Sequence, residues 1–334
     1  MAAPKPIESH GIAPLRRSFG ALLEMDTAAA ESAIPDRSAG WVQTASRSVV
    51  RKIFIPPGPK LAEVLDARWN GYCDQYRRCS KHCSEEAVHE LRVSIRRLLA
   101  QLILVEEVLP GSALSKLRKA LKRQFKEFGE LRDVHVQRQA IGRLLARYPA
   151  LVLLDLDLLR RERRLVKEAA RSLKTAREKK LLSWIRRVRE GLLQDADDEA
   201  AQRRMLARIM DATTAAFDKV IERLFKASEA EPETIHCVRL AYKKFRYMVE
   251  ALSPTWTGYS PKQLRRMAYY QRRLGRIQDA EVLRTTLIGF AKRNPASREA
   301  MRPVGRLLHR RRSEAMRAFL RGADEARLFW PPRD

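Results

Sequence analysis

The sequence predicts an all-α protein built from two copies of one helical unit, and three observations carry that prediction. Glycine and proline are sparse, 14 and 16 in 334 residues, against 45% hydrophobic and 32% charged residues. Such a composition suits helices and leaves little material for the turns of a β-sandwich. From Lys60 onward, apolar residues recur at three- and four-residue spacing almost without a gap. Finally, a ten-residue segment recurs 147 residues later.

Taken in order, residues 1–58 mix Ala, Ser, Pro and charged residues without sustained periodicity, and Pro56-Pro57-Gly58-Pro59 punctuates their end. They read as a mobile leader with one short helix. Beyond it the helical pattern is interrupted at Pro110-Gly111, Pro149, the acidic run Asp195 to Asp198, Pro232, Ser253-Pro254 and Asn294-Pro295. The intervals give helices of about 15 to 30 residues. The helical part spans 59–330, with a first unit over about 60–195 and a second over about 200–325.

The repeat fixes this division. Val88-His-Glu-Leu-Arg-Val-Ser-Ile-Arg-Arg97 returns as Ile235-His-Cys-Val-Arg-Leu-Ala-Tyr-Lys-Lys244. Leu91, Ile95, Leu98, Leu102 and Val105 step by 4, 3, 4 and 3, and so do Val238, Tyr242, Phe245, Val249 and Leu252. Each set forms one buried helical stripe. Phe128-Gly129, Asp133 and Val136 correspond to Leu274-Gly275, Asp279 and Val282 at a shift of 146, one residue having been lost in a loop. Two bundles of roughly four long helices each follow.

Charge dominates the functional reading. There are 67 Lys+Arg against 40 Asp+Glu, a net +27, well beyond what solubility requires, which points to a polyanionic partner. Residues 1–60 hold 8 basic and 5 acidic residues, so +24 lies in 61–334 and belongs to the folded part. No stretch approaches the roughly 18 apolar residues of a membrane span, and the N-terminus lacks a signal-peptide core. The expectation is a cytoplasmic protein with no membrane partner. Cys73, Cys79, Cys83 and Cys237 read as reduced thiols; Cys79, His82 and Cys83 lack the paired CxxC knuckles of structural zinc, so no metal is expected.

Helical geometry puts cations on common faces. With His89 at 0°, Arg92 falls at about 300° and Arg96 at about 340°, while the apolar stripe centres near about 200°. The second copy places His236, Arg239 and Lys243 at the same angles, with Arg97 and Lys244 flanking. A second helix pairs Lys119 and Lys126 with Arg265 and Arg272; a third pairs Arg160 and Arg164 with Arg306 and Arg310. Read singly, each row is an ordinary solvated face. Read as a set, one sign recurs at equivalent positions of two diverged copies, and like charges repel unless a linear anion neutralises them.

His89 and His236 have two readings: a core-edge imidazole bonded to a carbonyl or carboxylate, or a donor to a bound anion that holds it protonated. Asp133 and Asp279 read either as active carboxylates or as orienting ion-pair partners of the surrounding Arg and His, the latter favoured by so basic a setting.

VHELRVSIRR with GELRDVHV, then IHCVRLAYKKFRY with RLGRIQDAEVL, closely resemble the two halves of the CHAD family, the conserved histidine α-helical domain, over about residues 60–325. The resemblance implies two four-helix bundles related by a pseudo-twofold, facing a basic groove or pore that binds inorganic polyphosphate, often on polyphosphate granules. It makes His89 and His236 the family histidines, and Arg92, Arg96, Arg97, Arg239, Lys243 and Lys244 the motif cations. The leader is too short for the CYTH domain that many relatives carry. Two departures stand out: Lys243-Lys244 replaces the Arg96-Arg97 pair, losing the planar guanidinium fork, and Gln278 replaces Arg132.

The expected function is therefore non-catalytic polyphosphate binding without a cofactor. The rivals are a nonspecific nucleic-acid binder acting at low salt, for which aromatics to stack bases are few beyond Tyr247, Tyr269 and Tyr270, and a polyphosphate-metabolising enzyme, for which no Gly-rich phosphate loop or HExxH appears. Leu328-Phe329-Trp330 reads as a docking patch or as a tail folded back on a bundle.

Overall fold

The periodicity from Lys60 onward resolves into helices and nothing else among the described residues of the computed structural model, which are 54–175, 178–252 and 258–330. In chain order they are α1 (Pro57–Lys81), α2 (Glu85–Val108), α3 (Ser112–Glu127), α4 (Gly129–Gly142), α5 (Leu151–Thr175), α6 (Glu178–Leu193), α7 (Glu199–Phe225), α8 (Pro232–Leu252), α9 (Pro261–Arg293) and α10 (Arg298–Arg321), with short 3-10 turns at Pro295–Ser297 and Ala323–Leu328.

The first described helix, α1, begins inside the proline cluster. Pro56 is extended at the N-cap, and Pro57 opens the helix from the first-turn position where a missing N–H costs nothing. The proline cluster therefore opens this helix. Gly58 is required there: its N–H donates to Gln202 Oε1 at 2.8 Å, and a Cβ would lie 2.4 Å from the Leu192 carbonyl oxygen. Residues 1–53, including the short leader helix expected from sequence, lie outside the described residues.

Ser84 caps α2 by accepting the Ala87 N–H at 3.2 Å, and Glu85 and Glu86 sit in the positive first turn. All ten residues of the two repeated apolar stripes, Leu91 to Val105 on α2 and Val238 to Leu252 on α8, are fully buried. These helices pack against each other as well as against α1 and α7 respectively, so each has two buried faces. Every expected interruption separates helices, except that Ser253-Pro254 falls outside the described residues.

The halves diverge beyond α2 and α8. At Phe128 the backbone turns off helical values and separates α3 from α4, whereas α9, opened by a Ser260–Gln263 capping box, runs 33 residues through the equivalent Leu274. Where the first half adds α6, the second ends in a 3-10 turn and buried aromatics. Phe329 stacks near Tyr242 and Tyr270, and the Trp330 indole N–H donates to Thr214 Oγ1 at 3.0 Å. The tail folds back; of the suggested patch only Leu328 is exposed. The core is one continuous cluster through both halves, and no described helix is long and apolar enough to cross a membrane.

Candidate functional site

The α2–α8 packing decides where the repeated cations go. Arg92 is only 8% exposed and Lys243 only 6%, so the face placed off the core by helical angles is instead the seam between the two halves. A helical wheel built on one apolar stripe has no place for a second packing partner, hence the difference. Arg92 spends one guanidinium N–H on the Phe125 carbonyl at 2.5 Å and lies 4.0 Å from the centre of the Phe125 ring. Arg96 from α2 and Arg239 from α8 stand close enough to act on Lys243, as do Arg92 and Arg246.

This seam shapes the charges within it. Burial, then Arg96, Arg239, Arg92 and Arg246, drive the Lys243 amine well below the ordinary lysine range. Burial pushes Arg92 down to about 10 despite Asp133, and lowers Arg239 despite Asp279; both stay charged at neutral pH. His89 is lowered by burial and by Arg132, so the free imidazole is neutral at pH 7.

Asp133 and Asp279 are raised, chiefly by burial and against the pull of Arg92 and of Arg239 respectively. Both are exposed by surface area. The carboxylates are therefore reachable from solvent, although enough protein surrounds them to disfavour their charge. Each faces an arginine through space, and neither takes part in a described ion pair.

His236 is held differently from His89. Its Nδ1 lies 2.6 Å from Gln278 Oε1, which makes Nδ1 the protonated nitrogen, and its Nε2 is buried without a partner. Gln278 is the residue standing where the first half has Arg132. Arg132 instead pairs with Glu85 at 3.0 Å and repels a proton on His89. The two halves thus hold their histidines by different means.

The CHAD domain family model matches residues 63–288, which includes both motif helices and both histidines. The chain belongs to the CHAD domain family. Its fold resembles the crystal structure of the CHAD domain from the plant Ricinus communis, with a TM-score of 0.60 at 20% identity over 79% of this chain and 91% of that one. It also resembles PptA from Streptomyces chartreusis, with a TM-score of 0.62 at 20% identity over 80% of this chain and 99% of that one. At such identity the likeness shows the fold. No curated protein matches the chain.

Other predicted cations of this CHAD domain sit apart. Arg97 and Lys244 flank the seam, Arg97 exposed and Lys244 half-buried. Lys119, Lys126, Arg160, Arg164, Arg265, Arg272, Arg306 and Arg310 are exposed on α3, α5, α9 and α10; Arg164 lies 3.8 Å from Glu168 and Arg310 3.8 Å from Glu314, as on ordinary helix surfaces. Of the three tyrosines, Tyr270 is core, Tyr269 is exposed beside Arg272 and Tyr247 is half-buried. Sequence reasoning missed Arg68, Arg246 and Gln271, which stand near the seam. A cavity of about 460 Å³ lies elsewhere, between α9 and α10, with an apolar wall and Lys292, Arg298 and Arg302 around it.

Proposed function

We propose that the chain binds inorganic polyphosphate without transforming it, along the seam where Arg92 and Arg96 of α2 meet Arg239 and Lys243 of α8. That convergence carries the reading. Cations of the two motif helices converge on one seam, and Asp133 and Asp279 make no described ion pair with them. Buried guanidinium groups with spare N–H donors offer paired contacts to phosphate oxygens. His89, near neutral before binding, gains a proton and a donor beside phosphate. Exposed rows on the outer helices continue the positive field, so the chain associates with polyphosphate granules.

Nucleic acid binds the same field nonspecifically at low salt. No described group of three or more His, Cys, Asp and Glu is placed to hold a metal, and the proposed role is binding rather than hydrolysis; phosphate release from polyphosphate in the presence of Mg²⁺ would reverse that assignment.

The test is a competition at about 150 mM salt between long-chain polyphosphate and a single-stranded oligonucleotide of equal charge. Wild type and Arg92→Ala/Arg239→Ala are compared. Polyphosphate binding lost in the double variant supports the proposal, with a salt slope of about −0.7 per phosphate neutralised. Equal binding of both polymers, or indifference to the substitutions, refutes it.

A further inference from the structure

Beside the seam lies a smaller cavity of about 170 Å³. Arg96 and Arg97 reach it from α2, Arg246, Tyr247 and Glu250 from α8, and Gln271 from α9. Arg68 of α1 supports the wall, donating to the Arg97 carbonyl at 2.5 Å. Three guanidinium groups therefore line the cavity with one carboxylate, and Arg68 lies within electrostatic reach of that carboxylate. Glu250 is bonded to Arg246, whose side chain is only 15% exposed; the Arg246 Nε and the Gln271 Oε1 are buried without partners. The walls are polar, and the space holds on the order of ten water-sized atoms, which is one or two phosphate groups.

The cavity breaks the internal repeat. At the 147-residue shift, Arg246 answers to Leu99 and Tyr247 to Ala100, so the first half has no counterpart of this lining. It adjoins the seam directly, since Lys243 feels Arg246 and Arg239 feels Tyr247.

We infer that this cavity is a discrete site for one tetrahedral oxyanion group, and that it takes the terminal phosphate of a polymer lying in the seam. The ligand class at the pocket stands without the polymer; only the assignment to a chain end rests on the polyphosphate reading. A terminal phosphate carries a second ionisation with a pKa of about 6, as in a phosphomonoester, while each internal group carries one charge. A strongly cationic pocket therefore prefers ends. Glu250 holds Arg246 in place and repels the anion, which sets the affinity and supplies the test.

Inorganic diphosphate and orthophosphate are titrated calorimetrically into the full chain, as wild type, Arg92→Ala/Arg239→Ala, Glu250→Gln and Arg246→Leu. The last installs the residue the first half carries. Diphosphate should bind wild type and the seam variant alike, about fivefold tighter in Glu250→Gln because a like charge is removed, and about tenfold weaker in Arg246→Leu, with melting curves confirming that each variant is folded. Diphosphate stronger than orthophosphate, and able to compete with short polyphosphate, assigns the site to chain ends; equal binding of the two assigns it to free phosphate and overturns the chain-end part. Absence of diphosphate binding at millimolar concentration, or binding lost in the seam variant and unmoved by Glu250→Gln, overturns the site. If long-chain polyphosphate fails to bind while diphosphate binds as described, the pocket stands and the polymer reading falls.

Discussion

Lys243→Met separates the cost of the seam from its use. Methionine keeps most of the length and volume of the lysine stem and removes an amine that is 6% exposed and faced by Arg96, Arg239, Arg92 and Arg246. Replacing a buried set of ionic groups with apolar side chains of similar volume is often neutral or stabilising by about 1–4 kcal/mol, and here the charges nearest the amine are of its own sign. At about 2–4 °C per kcal/mol for domains of this order, Tm should rise by about 2–16 °C. The same change removes a charge-assisted contact worth about 1.5–3 kcal/mol, so polyphosphate affinity should fall about 10- to 150-fold and the salt slope should shrink by about 0.7. Because the folded amine titrates below the ordinary 10.5, the unfolded chain holds a proton that the folded chain lacks between those values. Stability of the wild type should therefore rise with pH through that window, and the variant should lose that rise. Scanning calorimetry and anisotropy titrations over a salt series read all three effects. A lower Tm with unchanged affinity would refute the reasoning, since Lys243 would then be a structural cation.

Polyphosphate binding should take up protons, because His89 and Lys243 are both depressed in the free protein and an adjacent anion restores them. Affinity then tightens as pH falls from about 7, and calorimetry in two buffers of different ionisation enthalpy must give different heats; identical heats count against it. Trp330→Ala removes a buried indole packed on Phe245 and should cost about 3–5 kcal/mol in denaturant unfolding, whereas a free docking tail would cost almost nothing. Gly58→Ala forces a Cβ against the Leu192 carbonyl and should destabilise by about 1–3 kcal/mol, a loss that an unstrained first turn would not show.

Helical periodicity is a local property, so the ten stripe positions on α2 and α8 were readable from spacing alone, and all are fully buried. The α3–α4 break was not, because Phe128-Gly129 and Leu274-Gly275 carry the same pattern and only one of them ends a helix. The burial of Arg92 and Lys243 was not legible, because a second buried face leaves no separate apolar period when arginine and lysine line it. Residues specific to one half were out of reach of a repeat-based reading. Arg246 stands opposite Leu99, Tyr247 opposite Ala100 and Gln278 opposite Arg132. Only the last difference was visible as a departure from the motif.

Packing on both sides explains how such a seam holds together with no anion bound. Arg92, Arg96, Arg239 and Lys243 work against one another in the free protein, a local conflict that an isolated helix pair could not hold. Here each motif helix has its conflicting face backed by a fully buried stripe, and the second half adds Tyr242, Phe319 and Phe329 packed around Tyr270. The strain is confined between two rigid supports, where local rules are broken at the place a polyanion would relieve them. Relief by a bound anion is then stability gained by mass action. A rise in Tm with polyphosphate, larger in wild type than in Lys243→Met, is the signature that separates a seam kept for a ligand from one that is merely tolerated.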